Sequence, residues 1–143
     1  MTPHQARVVA LARGWIGTPY VHQASACGAG ADCLGLIRGV WRGLHGAEPV
    51  AVPPYTPDWG EAAAREVLRA AAEAWLKPAG PEVVAGDVLL FRMRDGGIAK
   101  HLGIATGGAF VHAYSGQGVV ESPLSLPWAR RVAARYRFAE GTI

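Results

Sequence analysis

The chain has 143 residues, of which 50% are hydrophobic and 17% are charged, and its formal net charge is +3. This length is typical of one domain, so we expect a single domain over residues 1–143. The apolar content supports a hydrophobic core and excludes an intrinsically disordered chain. The basic residues are scattered, without the stripe or the aromatic-interleaved patch that is typical of nucleic-acid binding. We therefore expect no nucleic-acid partner.

The sequence contains no apolar run that approaches the roughly 18–20 residues of a membrane span. Its first residues do not form the basic and then apolar segments of a secretory signal. We therefore expect a protein made in the cytoplasm, without a membrane span. Cys27 and Cys33 lie six positions apart, which is wider than the tight cysteine pair of a zinc site. A disulfide between them is not expected in a reducing compartment.

The first part of the sequence predicts two helices. Thr2, followed by proline, is typical of a helix start, and a stripe of apolar residues continues to Gly14–Gly17. A loop rich in glycine and alanine then leads to Asp32, which is a good N-cap residue. Apolar residues recur at helical spacing from Cys33 onwards, so the second helix is predicted to end near His45.

The rest of the sequence predicts one further helix and then strands. Residues 49–59 contain four prolines and predict a loop. Asp58 is expected to precede an alanine-rich helix that continues to about Lys77. Helices followed by strands are typical of the α+β class with an antiparallel sheet. The strands are predicted over residues 88–91, 101–106, 109–114, 119–122 and 132–138.

Cys33 is a candidate nucleophile because of its position at the start of the second predicted helix. Unpaired backbone N–H groups and the helix dipole favour an anion at that position. We therefore expect the pKa of the Cys33 thiol to be lowered, which would increase its reactive thiolate fraction. The alternative is a small buried apolar side chain, since free cysteine is often buried.

Two histidines strengthen the interpretation of Cys33 as a nucleophile. If Gly107–Gly108 is a two-residue hairpin turn, His101 and His112 lie on one face of adjacent strands, with Gly103 between them. Their Cβ atoms would be roughly 7–8 Å apart or somewhat less, a gap that two imidazole rings can bridge. A cysteine, a histidine base and a group that orients the base form a nucleophilic catalytic arrangement. The sequence alone does not bring Cys33 to this hairpin.

Four blocks of the sequence resemble the NlpC-type family of papain-like cysteine peptidases, which cut bacterial cell-wall peptides. Residues 17–20 read GTPY, and residues 32–36 read DCLGL, which is similar to the DCSGL nucleophile motif of the family. Residues 86–91 read GDVLLF, and residues 101–107 read HLGIATG, followed by FVHA at 110–113. The resemblance implies a papain-like fold, with N-terminal helices packed on a central antiparallel sheet.

The resemblance also implies roles for individual residues. Cys33 would be the nucleophile, His101 the base and His112 the third polar residue, and no metal or other cofactor would be required. Tyr20 would direct its hydroxyl group to the oxyanion. We also expect Asp32 and Gln23 to contribute to this region. Leucine at position 34 stands where the family usually has serine, and this difference would alter the wall of the substrate groove.

The implied reaction is hydrolysis of an amide in the peptidoglycan stem peptide, after D-glutamate and before a diamino acid. Residues 17–41 most resemble the phage-tail branch of the family, which includes gene-transfer-agent particles. Tail hub or baseplate proteins would then be partners, and the particle would carry the enzyme to the periplasm of a target cell. Two alternatives are a structural tail component without activity and an amidase or acyl-transfer enzyme. The cysteine and two histidines together favour the peptidase over a structural role.

Overall fold

The computed structural model describes residues 1–59 and 66–140. Within these ranges the helices are α1 (Pro3–Arg13), α2 (Cys33–His45), α3 (Val67–Trp75) and α4 (Leu126–Ala129). The strands there are β1 (Ser25–Ala26), β2 (Gly30–Ala31), β3 (Lys77–Pro78), β4 (Asp87–Arg92), β5 (Ala99–Ala105), β6 (Ala109–Tyr114), β7 (Gly118–Pro123) and β8 (Val132–Arg137). Among these helices, none is long and apolar enough to cross a membrane.

Six strands form one antiparallel sheet in the order β3-β8-β4-β5-β6-β7, and β1 pairs with β2 separately. Strands β4 to β7 are neighbours in sequence and in space, whereas β8 returns to lie beside β4. The arrangement confirms the predicted α+β class with an antiparallel sheet. All five predicted strands are present, with bounds that differ from the prediction by no more than two residues.

The first two helices begin at the predicted capping residues. The Thr2 hydroxyl oxygen accepts a hydrogen bond from the N–H of Gln5, and the Gln5 side chain accepts one from the N–H of Thr2. Asp32 Oδ1 accepts a hydrogen bond from the N–H of Gly35. These bonds satisfy N–H groups that have no partner within the helix. Each helix also ends where predicted, just before a glycine.

The predicted bounds of the third helix are wrong. At its N-terminal end the described helix starts at Val67, not after Asp58. Residues 57–59 form a turn in which Trp59 has a φ of +56°. This left-handed conformation is incompatible with a continuous right-handed helix. Residues 60–65, which the prediction also included, lie outside the described residues.

The third helix also ends earlier than predicted. Leu76, with a φ of −119° and a ψ of 166°, is extended and closes α3. Lys77 and Pro78 then form the edge strand β3, paired with β8. Proline has no backbone N–H, which suits an edge strand but not a helix interior.

Helices α1, α2 and α3 cover one face of the sheet with the larger of two apolar clusters, and Cys33 is part of that cluster. Helix α2 can lie close to its neighbours because glycine recurs at every fourth position. A Cβ atom on Gly39 would be 1.9 Å from the Trp15 ring, and one on Gly35 would be 1.9 Å from the Ala24 carbonyl oxygen. The small-residue face of α2 therefore fixes how closely the start of this helix approaches the preceding loop.

The opposite face of the sheet holds a smaller apolar cluster. Leu89, Phe91, Ala105 and Phe110 form its buried part. The ring of Trp128, on the short helix α4, packs against Phe91 and Phe110 with centroid distances of 5.2 and 5.1 Å. Helix α4 therefore covers the face of the sheet on which the two candidate histidines were predicted to lie.

Candidate active site

Cys33 is the first residue of α2, and hydrogen bonds to Asp32 fix the chain immediately before it. The Asp32 carboxylate is fully buried and accepts hydrogen bonds from the backbone N–H groups of Gly35 and Gln23, both at 2.7 Å. The Tyr55 hydroxyl group donates a third hydrogen bond to the same carboxylate. Asp32 therefore joins the helix start, the preceding loop and the proline-rich segment. Beside it, Cys33 is only 1% exposed.

His101 and His112 are hydrogen-bonded neighbours on β5 and β6. The two strands pair at Ile104–Val111 and Ala105–Phe110, which confirms the register predicted from the Gly107–Gly108 turn. His101 Nε2 lies 2.7 Å from His112 Nδ1. Since both rings are almost completely buried, this bond fixes the orientation of the His101 ring.

Gly103 provides the space in which the two rings meet. A Cβ atom at Gly103 would lie 2.7 Å from the Phe110 ring and 3.3 Å from the His112 Cβ atom. A methyl group at this position would have to displace both neighbours in a closely packed region.

We expect Gly103→Ala to lower both activity and stability. The methyl group would displace His112 and lengthen its bond to His101, and such a misplacement can cost roughly 10²-fold in rate. Overpacking typically costs about 1–3 kcal/mol of unfolding free energy. Hydrolysis rates and urea unfolding would measure the two effects, with Gly108→Ala as the control, because no atom lies within 4 Å of a Cβ at Gly108. Unchanged hydrolysis in Gly103→Ala would contradict the expectation.

Strands β5 and β6 separate beside His101, and Cys33 lies at this opening. Their pairing extends from the turn only to Ile104, although every residue of both strands is described. The N–H of Thr106 donates to β6, and N–H groups alternate in direction along a strand, so the Leu102 N–H also points toward β6. This N–H interacts with the Cys33 thiol and favours its ionised form. Helix α2 thus places the sulfur beside the residue that follows His101.

The expected lowering of the Cys33 pKa is wrong. Burial raises the pKa of the thiol above its ordinary value, and the negative charge of Asp32 raises it further. The backbone N–H groups of Leu102, Leu34 and Cys33 itself lower the pKa, but their effect is smaller. The helix start does supply donors, but desolvation of a thiolate at a 1% exposed position outweighs them. The resting Cys33 side chain is therefore a neutral thiol.

The two histidines are neutral as well. Burial lowers the pKa of His101 to about 3, and the neighbouring His112 contributes to this shift. Burial lowers the pKa of His112 to about 4. At neutral pH the site therefore holds a thiol and two uncharged imidazoles, not a preformed ion pair between thiolate and imidazolium.

Hydrogen bonds around the two rings indicate where their protons lie when His101 acts as a base. The His101 Nε2 atom is bonded to His112, so Nδ1 is the nitrogen that can accept a proton. His101 Nε2 must then carry hydrogen and donate to His112 Nδ1, and His112 Nε2 must donate to the Ser122 hydroxyl oxygen, 2.8 Å away. The Ser122 hydroxyl group can accept this hydrogen bond, so it is compatible with the tautomers that a base at His101 requires.

We expect the protein to lose stability as the pH falls below about 6.5. In the unfolded chain both histidines take up protons near that pH, whereas the folded state binds them only near pH 3 to 4. Linkage then removes about 2 kcal/mol of unfolding free energy per histidine between pH 6.5 and 5. Urea unfolding over this pH range would measure the loss. In His112→Asn the dependence is expected to be about half as steep, and an equal slope in both proteins would contradict the assignment.

Tyr20 lies close to the candidate nucleophile. It pairs with Ala31 in an isolated bridge and packs against the larger apolar cluster. Burial raises the pKa of Tyr20 to about 12, and the negative charge of Asp32 contributes to the increase. The hydroxyl group is thus held in its neutral, donating form near Cys33, and its role at the oxyanion stays a prediction.

Gln23 lies beside Asp32, and its side chain points to the proline-rich segment. Its Nε2 donates to the Tyr55 carbonyl oxygen at 2.7 Å, and its backbone, with a φ of +65°, is in the left-handed region. His22 also lies against Tyr55, with its Nε2 3.0 Å from the same carbonyl oxygen. The predicted contact of Gln23 with a substrate stays a prediction.

Three residues of the site were not predicted from the sequence: Tyr55, Ser122 and Trp128. Ser122 could have been found, because the loop at 115–117 between β6 and β7 places it diagonally from His112. No local pattern connects Tyr55 to Asp32 or Trp128 to the histidines. The Trp128 ring lies 5.7 Å from the His101 ring and 5.3 Å from the His112 ring.

Solved structures match this fold, although no family model matches the sequence and no curated protein matches it. An NlpC/P60 family protein from Bacillus cereus is 18% identical, with a TM-score of 0.64 over 96% of this chain and 41% of that chain. A protein similar to a lipoprotein of the NLP/P60 family, from Staphylococcus aureus, is 21% identical, with a TM-score of 0.61 over 99% of this chain and 43% of that chain. The NlpC/p60 domain of peptidoglycan hydrolase SagA is 27% identical, with a TM-score of 0.57 over 84% of this chain and 89% of that chain.

These similarities establish the papain-like NlpC/P60 fold that the sequence resemblance implied. The structural neighbours are NlpC/P60 family proteins, which supports the NlpC-type family for this chain. The chain spans less than half the length of the first two proteins, but most of the SagA domain. The fold is thus shared with the NlpC/p60 domain of a peptidoglycan hydrolase.

Proposed function

We propose that the protein is a cysteine peptidase that hydrolyses an amide bond in peptidoglycan stem peptides. One observation carries the proposal: the Cys33 thiol lies beside the strand residue that follows His101, and His101 is hydrogen-bonded to His112. In this proposal Cys33 is the nucleophile, His101 is the base and His112 is the group that orients the base. The hydrolase fold and the similarity to the NlpC/p60 domain of a peptidoglycan hydrolase support a cell-wall substrate.

In the proposed reaction, the Cys33 sulfur attacks the carbonyl carbon of the amide while its proton passes to His101 Nδ1. The C–N bond then breaks, and His101 gives this proton to the leaving nitrogen, so that a thioester remains on Cys33. Water attacks the thioester with His101 as the base. The carbon–sulfur bond breaks, a carboxylic acid is released, and the proton returns to the sulfur.

Two neutral groups can stabilise the tetrahedral intermediate. The backbone N–H of Cys33 lies at the start of α2, where donors have no helical partner. The Tyr20 hydroxyl group lies near Cys33 and stays protonated at neutral pH. Because the resting thiol is neutral, its proton must pass to His101 before or during the attack on the substrate.

The finer assignment is also part of the proposal. The bond between D-glutamate and a diamino acid is the proposed site of cleavage, on the basis of the sequence motifs at residues 17–20, 32–36 and 101–107. The similarity of residues 17–41 to the phage-tail branch supports a role in a phage-like tail, with tail hub or baseplate proteins as partners. The site of action would then be the periplasm of a target cell.

Mass spectrometry of purified muropeptides after incubation with the protein tests the proposal, with Cys33→Ala as the control. New fragments cut between D-glutamate and the diamino acid, in the wild type alone, are the expected result. Fragments cut at another amide would keep the cysteine chemistry and change the substrate assignment. The absence of cleavage, together with a Cys33 thiol that stays inert toward substrate-like thioesters, would overturn the proposal in favour of a structural tail component.

A further inference from the structure

A cavity of about 490 Å³ lies at the end of the hairpin formed by β4 and β5, and its walls are rich in arginine. Arg92, Arg94, Arg130 and Arg131 line it, together with the acidic residues Glu66 and Asp95. Arg130 and Arg131 are adjacent in the sequence, and the fold brings this pair beside Arg92 and Arg94 from a separate segment. The cavity is therefore a local concentration of positive charge.

Arg130 and Arg131 are available to an anion, and Arg92 is available through its terminal nitrogens, since its Nε donates to the Gly97 carbonyl oxygen at 3.1 Å. In the part of the chain that the structure describes, Arg92, Arg130 and Arg131 form no ion pair. Arginine presents a planar set of donors that matches a carboxylate. The guanidinium carbon of Arg131 lies 5.7 Å from the centre of the Trp128 ring, which limits its freedom.

Glu66, one of the two acidic residues that line the cavity, bonds to groups outside it. Glu66 Oε1 accepts a hydrogen bond from the backbone N–H of Ala99 at 3.0 Å. The same oxygen lies 4.0 Å from Arg69 Nε. The Glu66 carboxylate therefore secures the start of β5 and the first turn of α3, instead of neutralising the arginines on the other side of the cavity.

The cavity adjoins the His101 side of the candidate active site. On the paired strands β4 and β5, Phe91 lies opposite His101 and Arg92 lies opposite Ala99. Two residues of strand separate His101 from Ala99, a distance of roughly 7 Å. The Trp128 ring also bridges the two regions, since it contacts the His101 ring and the Arg131 guanidinium group.

The chemistry of the proposed reaction indicates which half of a substrate would reach this cavity. His101 gives its proton to the leaving nitrogen, so the leaving-group half of the substrate must lie on the His101 side of Cys33. Two residues of an extended peptide span roughly 7 Å, which is the separation of His101 from the start of the cavity. A diamino acid with a second carboxyl group has a free carboxylate at about this distance, and so does the terminal residue that follows it.

We propose that this arginine-lined cavity binds a carboxylate of the leaving-group half of the substrate, either that of the diamino acid or the terminal one. The inference rests on the proposed peptidase function. It makes the cavity a determinant of substrate choice: stem peptides with a free carboxylate are favoured over amidated ones. Hydrogen bonds to charged groups contribute about 1.5–3 kcal/mol. The site is therefore expected to favour peptides with a free carboxylate over amidated peptides at least tenfold in binding.

Hydrolysis of matched peptides tests the inference. Four forms of one stem peptide are compared: both carboxylates free, only the diamino-acid carboxylate amidated, only the terminal one amidated, and both amidated. The wild type is expected to cut the doubly amidated form with a kcat/KM roughly tenfold lower, mainly through KM, and the two singly amidated forms identify the carboxylate that binds. Arg130→Gln and Arg131→Gln are expected to lose this preference. Arg7→Gln, whose side chain bonds to the Gly43 carbonyl on α2, is the control.

The outcomes separate the two proposals. Equal hydrolysis of all four peptides by the wild type would overturn the inference and leave the peptidase function intact. If no peptide is cut, the proposed function is in doubt, and binding of the same peptides to Cys33→Ala protein is measured by titration calorimetry. Carboxylate-dependent binding that is lost in Arg130→Gln would still support the cavity as an anion site. Binding that does not depend on the carboxylates or on Arg130 would overturn it.

Discussion

Cys33→Ala is expected to abolish amide hydrolysis, with a loss of at least roughly 10⁴-fold in kcat. Removal of the nucleophile eliminates the thioester step, and only substrate binding and stabilisation of the oxyanion remain. The fold is expected to survive because the change removes a single buried atom, which costs about 1 kcal/mol of unfolding free energy. Single-turnover hydrolysis and urea unfolding of the same preparation would measure the two effects separately.

The second cysteine provides a matched control for this prediction. Cys27 is exposed, and its thiol donates to the Gly14 carbonyl at 3.5 Å, so it has no part in the proposed chemistry. Cys27→Ala should retain the activity of the wild type. His101→Ala should lose nearly as much as Cys33→Ala, since the two residues act as one unit. Hydrolysis by Cys33→Ala at the rate of the wild type would contradict the whole mechanism.

The histidine pair could be predicted from the sequence because its geometry is local. A two-residue turn at Gly107–Gly108 sets the strand register, and the alternation of side chains then determines which residues share a face. The same reasoning correctly identifies Gly103 as the residue that leaves room for the rings. The N-cap role of Asp32 is predictable for a similar reason, because capping depends on residues within one turn of helix.

The approach of Cys33 to His101 could not be predicted in this way. The two residues are 68 positions apart in the sequence, and their meeting depends on where α2 lies on the sheet and on where β5 and β6 part. The predicted lowering of the Cys33 thiol pKa is wrong for the same reason. Helix position favours the thiolate, but burial depends on the whole fold and has the larger effect here.

The contact between the proline-rich segment and Asp32 could not be predicted from the sequence either. A loop was predicted over 49–59, but nothing local indicates that Tyr55 reaches the carboxylate of Asp32. Two residues with left-handed backbone, Gln23 and Trp59, lie where this segment meets the loop before Cys33. The Tyr55 and Trp59 rings stack at 4.4 Å. Such conformations persist only where surrounding contacts hold them, and these contacts join residues distant in sequence.

Asp32→Ala is expected to lower the free energy of unfolding by about 3 kcal/mol. The change removes the acceptor for the N–H groups of Gly35 and Gln23 and for the Tyr55 hydroxyl group. Each buried donor left without a partner costs about 1–3 kcal/mol, and water can satisfy only part of the loss. Chemical unfolding at pH 7 would measure the change. Tyr55→Phe removes one of the three bonds and should cost about 1 kcal/mol.

Asp32→Asn separates the charge of Asp32 from its hydrogen bonds. The amide keeps an acceptor for the Gly35 N–H but has no negative charge, and that charge helps to raise the pKa of the Cys33 thiol. The thiol pKa should therefore fall, and alkylation of Cys33 at pH 8 should be faster than in the wild type. Tyr55→Phe retains the carboxylate and should show no such increase. Slower or unchanged alkylation in Asp32→Asn would show that Asp32 acts on Cys33 only through the backbone that it fixes.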